Sequence, residues 1–87
     1  MLLRYAIMIV LLFGRLADIL GREVALSLPQ PCTIADVRRE LARLHPANAA
    51  ELAASRARAV IGDAMAREDA VVQDGDEVAF FPPLSGG

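Results

Sequence analysis

The chain has 87 residues, which is the size of one small domain and leaves no room for two. Hydrophobic residues make up 55% of it and charged residues 23%, so it is not a disordered chain. The net charge of −2 and the pI near 5.2 argue against nucleic acid as the main partner. The single cysteine, Cys32, excludes an intramolecular disulfide framework and a cysteine-rich metal or iron–sulfur site. We therefore predict one small globular domain that binds no metal.

The apolar run between Tyr5 and Phe13 has two interpretations. It resembles a secretory signal, since Arg4 precedes it and Leu16-Ala17 follows it, but it is too short to cross a bilayer as a helix. The alternative is a strand over Met8–Phe13, because the stretch has no alternation, as expected for a central strand covered on both faces. Cleavage after the run would remove the most apolar part of a small core. We favour the strand, and with it a cytoplasmic protein that does not enter membranes.

The first half of the sequence predicts a strand followed by the main helix. A helical turn over Arg15–Leu20 leads to a strand over Glu23–Leu28, which Pro29-Gln30-Pro31 ends. Thr33 with Asp36 has the spacing of a capping box at the start of the main helix. Pro46 stops that helix after His45. The helix is expected to bury one face, made of Ile34, Val37, Leu41 and Leu44.

The second half predicts a short helix and several short strands. A second helix is expected from Asn48 to about Ala57. It is followed by a short strand at Val60–Ile61, a weak return strand at Ala64–Ala66, a brief buried segment at Val71–Val72 and a last strand over Glu77–Phe81. A right-handed crossover through the main helix brings a later strand parallel to the first. The pattern therefore predicts a two-layer α+β domain with one helix across a mixed sheet.

Several isolated residues have both a functional and a structural interpretation. Cys32 lies at a helix start, where a thiol pKa is lowered, but a small residue beside a cap is the simpler explanation. His45 has no metal-binding neighbours, so we favour a helix cap or a solvated residue. Arg38, Arg39 and Arg43 form either a basic patch for an acidic partner or a solvated helix face, and we favour the face.

The last eight residues carry a pattern that a chain end does not need for folding. Phe80 and Phe81 are neighbours in a strand, so one ring can fill the core while the other faces outward or lies under a loop. Pro82 and Pro83 lack N–H groups and direct the chain off the sheet as a stiff arm. Leu84 on that arm is an apolar anchor for a partner's pocket, together with the outward phenylalanine.

The end of the arm, Ser85-Gly86-Gly87, suits threading and acyl activation. Ser85 and Gly86 thread a channel too narrow for larger residues, and Gly87 leaves its carboxylate unobstructed. ATP converts such a carboxylate to an acyl-adenylate, which a sulfur or amine nucleophile then attacks. The chain has no phosphate-binding loop, so we expect it to be the substrate of an activating enzyme that holds ATP and Mg²⁺. A frayed chain end is the alternative interpretation.

The block from Asp74 to Gly87 resembles the C-terminal signature of the ubiquitin-like sulfur carriers, and among them the MoaD-type small subunits of molybdopterin synthase. Met8–Phe13 with Leu16–Gly21 is similar to their first strand and turn, and Thr33–Val37 with Leu41 is similar to the start of their helix. The resemblance covers all but about the first seven residues. It identifies residues 1–87 as one sulfur-carrier domain, with residues 1–7 as an extension that the fold does not need and residues 82–87 as the functional tail.

The resemblance implies a fold and a chemistry. The fold is a β-grasp: a mixed sheet of four to five strands, one main helix across it and an extended tail. A partner adenylyltransferase activates the Gly87 carboxylate, and a sulfur donor converts it to a thiocarboxylate. The tail enters the large synthase subunit, which holds the active-site side chains, and sulfur passes to the dithiolene of molybdopterin. Two carriers and two large subunits form a heterotetramer, so the chain is not an enzyme on its own. Partner contacts fall on Phe80, Phe81, Pro82, Pro83 and Leu84.

Two other functions stay open from the sequence. One is a carrier of the same chemistry for thiamine, cysteine or another sulfur pathway, although carriers of the thiamine type usually lack the Phe-Phe-Pro-Pro run. The other is a ubiquitin-like binding module without covalent chemistry. An alanine added after Gly87 separates these classes, because it abolishes the function of a carrier and leaves a simple binder intact.

Overall fold

The computed structural model describes residues 4–83 of the chain. These residues form seven strands and three α-helices, and a single 3₁₀ turn, Pro46–Asn48, precedes the last helix. In chain order the elements are β1 (Arg4–Leu12), α1 (Arg15–Leu20), β2 (Glu23–Gln30), β3 (Cys32–Thr33), α2 (Ile34–Leu44), α3 (Ala49–Leu52), β4 (Arg58–Ile61), β5 (Ala64–Met65), β6 (Val71–Val72) and β7 (Val78–Phe81).

Five of the strands form one mixed sheet in the order β2-β1-β7-β4-β5. The central pair, β1 and β7, is parallel, with Val10 opposite Val78 and Leu12 opposite Phe80, and the other pairs are antiparallel. β3 and β6 form a separate two-stranded sheet. A crossover that contains α2 is what allows β7 to run parallel to β1. The predicted β-grasp fold, with a mixed sheet and a main helix across it, is confirmed.

Helix α2 begins where the capping pattern predicts. The Thr33 hydroxyl accepts a hydrogen bond from the Asp36 backbone N–H at 3.2 Å, and the Asp36 carboxylate accepts one from the Thr33 N–H at 2.9 Å. The second bond is the main reason why the pKa of Asp36 lies below its ordinary value. Ile34, Val37 and Leu41 follow on one face and are completely buried, so capping and apolar periodicity together fix this helix.

The buried face of α2 differs from the prediction at two positions. Leu44, expected in the core, is 43% exposed, whereas Arg38, expected on a solvated face, is 9% exposed. The Arg38 guanidinium is buried because it finds partners there: it binds the Glu68 carboxylate with two hydrogen bonds and donates to the carbonyls of Leu52 and Ala57 at 2.6 and 2.8 Å. Arg39 and Arg43 are exposed, as expected for a solvated face, and pair with carboxylates on their own helix.

The same contacts explain why the second short helix is shorter than predicted. α3 ends at Leu52 rather than near Ala57, and Ala53 is extended with φ −61° and ψ 153°. In a longer helix the Leu52 carbonyl would accept from the N–H of Arg56, but it accepts from Arg38 instead, and the Arg56 N–H donates to Ala53. The arginine that the helical pattern places outside the core therefore supplies a hydrogen bond to the carbonyl at which the neighbouring helix ends.

Strands β1 and β2 pair as an antiparallel hairpin, and both extend beyond their predicted bounds at its open end. β1 begins at Arg4, so residues 4–7 of the expected extension lie in the sheet, opposite residues 27–30 of β2. The prolines do not stop β2 at Leu28, because β2 is an edge strand and Pro29 is accommodated opposite Tyr5. The strand ends two residues later than expected.

The prediction that β1 is covered on both faces is wrong. Val10 and Leu12 point to α2 and are buried, but Tyr5, Ile7 and Ile9 alternate with them on the opposite face and are exposed. The described part of the chain places no helix on that face. β1 is central within the sheet, yet only one of its faces belongs to the core. In residues 4–83 there is also no helix with the length and apolar character needed to cross a membrane.

Candidate functional site: the root of the C-terminal tail

Strand β7 separates the two phenylalanines as predicted. Phe80 is completely buried among the core residues, while Phe81 is 37% exposed on the other face of the sheet. The Arg38 guanidinium lies over the Phe80 ring, 5.0 Å from its centroid. Phe80 was expected among the partner contacts, but its ring has no accessible surface and belongs to the core. The outward member of the pair is Phe81.

Phe81 packs against another residue of this chain, which the sequence pattern did not connect with the tail. Its ring stacks on Phe13, with centroids 4.4 Å apart and planes 3° from parallel. The Phe13 N–H also donates to the Phe80 carbonyl at 3.2 Å. Parallel pairing of β1 with β7 brings the residue after β1 beside the end of β7, and that pairing was the signal available for finding Phe13.

The chain leaves the sheet immediately after this stack. Pro82 is half-buried and Pro83 is exposed, and neither belongs to a strand. Because a proline has no N–H, the backbone ladder cannot continue through either residue. The expected exit of the chain at the two prolines is therefore observed. The other predicted tail residues, Leu84, Ser85, Gly86 and Gly87, lie outside the described residues.

Phe81 lies within a larger apolar surface, which we call the open face. Its members are the exposed large apolar side chains on the side of the sheet away from α2. They are Tyr5, Ile7 and Ile9 of β1, Phe13, Met65 of β5 and Phe81. Ile7 is the most exposed of them, at 78%. An apolar surface of this kind, beside the two prolines that follow β7, is suited to contact with a partner protein.

Two other residues singled out in the sequence are structural. Cys32 is buried in β3, with its sulfur 3.6 Å from the Gln30 side-chain amide, and burial raises the pKa of its thiol. His45 is the C-cap of α2, where its backbone N–H donates to the Leu41 carbonyl. Residues 4–83 contain no group of three or more His, Cys, Asp or Glu residues arranged to hold a metal ion.

Comparison with protein families assigns the chain by its sequence. Residues 10–87 match the model of the ThiS family, so the match includes both the sheet and the tail. The chain belongs to the ThiS family. The predicted membership of the ubiquitin-like sulfur carriers is thereby confirmed, on a match that takes in the Gly-Gly end of the sequence as well as the fold.

Individual relatives of this ThiS-family chain agree with the assignment. It is 33% identical over 81 residues to the molybdopterin synthase sulfur carrier subunit of Escherichia coli strain K12, a match that covers 90% of this chain and 96% of that protein. The crystal structure of SAMP1 from Haloferax volcanii superimposes with a TM-score of 0.79 and 28% identity, covering 94% of this chain and all of that one. A crystal structure of small archaeal modifier protein 1 from H. volcanii gives 0.78 and 29%, with 91% and 99% covered.

Proposed function

We propose that this ThiS-family chain is the sulfur carrier of molybdopterin synthesis and that its reactive group is the carboxylate of Gly87. The observation that carries the proposal is the root of the tail: the sheet holds the chain through Phe81, and two prolines then release it. The similarity to a molybdopterin synthase sulfur carrier subunit over nearly its whole length supports the choice of pathway.

The chemistry takes place at the end of the tail in two steps. A carboxylate oxygen of Gly87 attacks the α-phosphorus of ATP, pyrophosphate leaves, and an acyl-adenylate forms. A sulfur donor then displaces AMP, and the C-terminal thiocarboxylate that results carries the sulfur. The activating enzyme holds the ATP and Mg²⁺, and this chain binds no cofactor of its own.

The carrier works by delivery rather than by catalysis. The tail enters the large synthase subunit, where sulfur leaves Gly87 for the pterin precursor, and the active-site side chains belong to that subunit. Two carriers and two large subunits form the complex. Phe81, Pro82, Pro83 and Leu84 contact the partner, with Ser85 and Gly86 as the threading segment. The open face is the surface that partners cover, and the protein acts in the cytoplasm.

Intact mass spectrometry tests the first half of the proposal. The chain is co-produced with a cognate activating enzyme and sulfur donor, and a gain of about 16 Da is expected, because sulfur replaces one oxygen at Gly87. The control carries an added alanine after Gly87 and should stay at its unmodified mass. Absence of the gain with both partner enzymes active contradicts every carrier function.

The second half is tested by adding the purified large subunit and the pterin precursor to the thiocarboxylate form. The mass should return to that of the carboxylate as molybdopterin appears. A carrier for thiamine or cysteine synthesis keeps its sulfur in this mixture and releases it only to an acceptor of its own pathway. A binding module without covalent chemistry never acquires the sulfur.

Attachment to other proteins is a second candidate function, favoured by the structural similarity to a small archaeal modifier protein. The same adenylate would then be attacked by an amine of a target instead of by sulfur. This chain contains no lysine, so copies of it cannot be joined through lysine side chains. Conjugates of higher mass in cells, lost when Gly87 is deleted, would favour the modifier.

A further inference from the structure

Gly14 lies against the first proline of the tail. A Cβ atom built at this position would lie 2.8 Å from Pro82 Cγ and 3.3 Å from Pro82 Cδ. The backbone there has φ +58°, a value that residues other than glycine rarely adopt. The position therefore has two separate reasons to be glycine, and one of them is the proline at the root of the tail.

Gly14 cannot retreat from Pro82, because helix α1 fixes its place. Its carbonyl accepts hydrogen bonds from the N–H groups of Ala17 and Asp18, at 3.0 and 3.2 Å. Leu16 in the same turn is buried in the core. A displacement of Gly14 would require movement of α1 and of its core residue.

Phe13 holds the other side of the exit. Its ring stacks on Phe81, the residue before Pro82, and its N–H binds the carbonyl of Phe80. Phe13 and Gly14 thus contact three consecutive residues, Phe80 to Pro82, at the point where the chain leaves the sheet.

We propose that Phe13 and Gly14 are positioning residues that set the direction in which the tail leaves the domain. The proposal rests on the carrier function, because direction matters only if the tail must enter a partner's channel. An arm of six residues reaches at most roughly 20 Å, so a tilt of about 20° at its root moves its end by about 7 Å. A displacement of that size removes a reacting carboxylate from its attacking partner.

The sharpest test compares Gly14→Ala with Gly62→Ala. Gly62 also has a positive φ, +65°, but a Cβ there meets nothing within 4 Å. Both variants therefore place an alanine at a positive φ, and only the first also brings a methyl group against Pro82. Gly14→Ala is expected to lower kcat for thiocarboxylate formation about tenfold or more relative to Gly62→Ala, measured at a temperature at which both variants are folded.

A double variant and a ring replacement identify the cause. In the Pro82→Ala background the clash is absent, so Gly14→Ala should cause little additional loss of kcat. Phe13→Leu keeps an apolar side chain but removes the stack, and it should lower kcat, whereas Phe13→Tyr keeps the stack and should restore it.

A measurement on the free chain separates this proposal from the carrier function. Residual dipolar couplings of the Cα–Hα bonds of Pro82 and Pro83 should change in Gly14→Ala and stay unchanged in Gly62→Ala. Unchanged couplings in both variants overturn the positioning role, whether or not sulfur is carried. If the couplings change in Gly14→Ala while the wild-type protein never gains sulfur, the carrier function is contradicted and the geometric role of Gly14 stands.

Discussion

Strand β1 is apolar on both of its faces, but the two faces of the main sheet have different surroundings. On the face covered by α2, Val10, Leu12 and Phe80 are buried to within 2% of complete. On the open face, Ile7 and Ile9 of β1 and Phe81 of β7 are exposed, with Ile7 at 78%. One strand, β1, therefore supplies both the core and an exposed apolar surface. An apolar residue in this sheet is therefore not necessarily a core residue: those on one face of β1 are buried by the fold, and those on the other face remain exposed in the isolated chain.

The largest expected difference in stability between substitutions on the two faces is at the neighbouring residues Phe80 and Phe81. Phe80→Ala leaves a cavity beneath Arg38 and should lower the free energy of unfolding by about 3–5 kcal/mol. Phe81→Ala removes a half-exposed ring and should cost about 1 kcal/mol or less. Urea denaturation measures both. Equal losses in the two variants would contradict the assignment of Phe80 to the core and Phe81 to the open face.

Arg38 provides the next largest contrast, because it is a charge on the covered side. Arg38→Ala removes the partner of Glu68 and leaves the carbonyls of Leu52 and Ala57 without a donor, so it should cost about 2–4 kcal/mol. The matched control is Arg39→Ala on the same helix, which removes an exposed pair with Asp36 and should cost about 0.5 kcal/mol or less. Thermal or urea unfolding measures both losses. A larger loss of stability for Arg39→Ala than for Arg38→Ala would be inconsistent with the buried position of Arg38.

Acid should weaken the same contact. Hydrogen bonds from Arg38 hold the pKa of Glu68 below its ordinary value of 4.5 in the folded state. The contribution of the Glu68 carboxylate is therefore fully present above about pH 4.5 and is lost as the pH falls through the lowered pKa of the folded state. The free energy of unfolding, measured by urea titrations across this range, should fall more steeply for the wild type than for Glu68→Gln. Parallel pH curves would contradict the prediction, although Asp36 and Glu40, whose pKa values are also lowered, add to the acid sensitivity of both proteins.

The smallest effect is expected at the centre of the open face. Ile7→Thr should change the free energy of unfolding by about 0.5 kcal/mol or less, because Ile7 makes few contacts in the isolated chain. Val10→Thr, three residues along the same strand, places a hydroxyl in the core and should cost about 1–3 kcal/mol. A large loss at Ile7 would show that some part of this chain covers the open face.

Local patterns predicted the elements that depend on local chemistry. The Thr33 and Asp36 capping box, the apolar spacing of Ile34, Val37 and Leu41, and the short strand at the end of the chain are all present. Each depends on residues within one or two turns of one another. The β-grasp assignment also came from the resemblance of the tail and the first strand to known sulfur carriers, and the fold comparison bears it out.

Features that depend on distant contacts were not predictable in this way. Arg38 is buried because carbonyls of Leu52 and Ala57, far along the chain, converge on it. The open face of β1 is exposed because α2 covers only the other side of the sheet, which a run of apolar residues cannot reveal. Phe13 and Gly14 join the site only because β1 and β7 are parallel neighbours.

The parallel pair of β1 and β7 also bears on how the domain folds. It joins the first and last strands of the described chain, so the centre of the sheet forms only after nearly all of the domain has been synthesised. Pairing between distant segments is slow, because the whole intervening loop must be closed before its contacts form. The contacts of Phe81 with Phe13 and of Pro82 with Gly14 form only when β1 and β7 pair. A nascent or partly folded copy therefore has no fixed exit for its tail, and only a completed domain presents it.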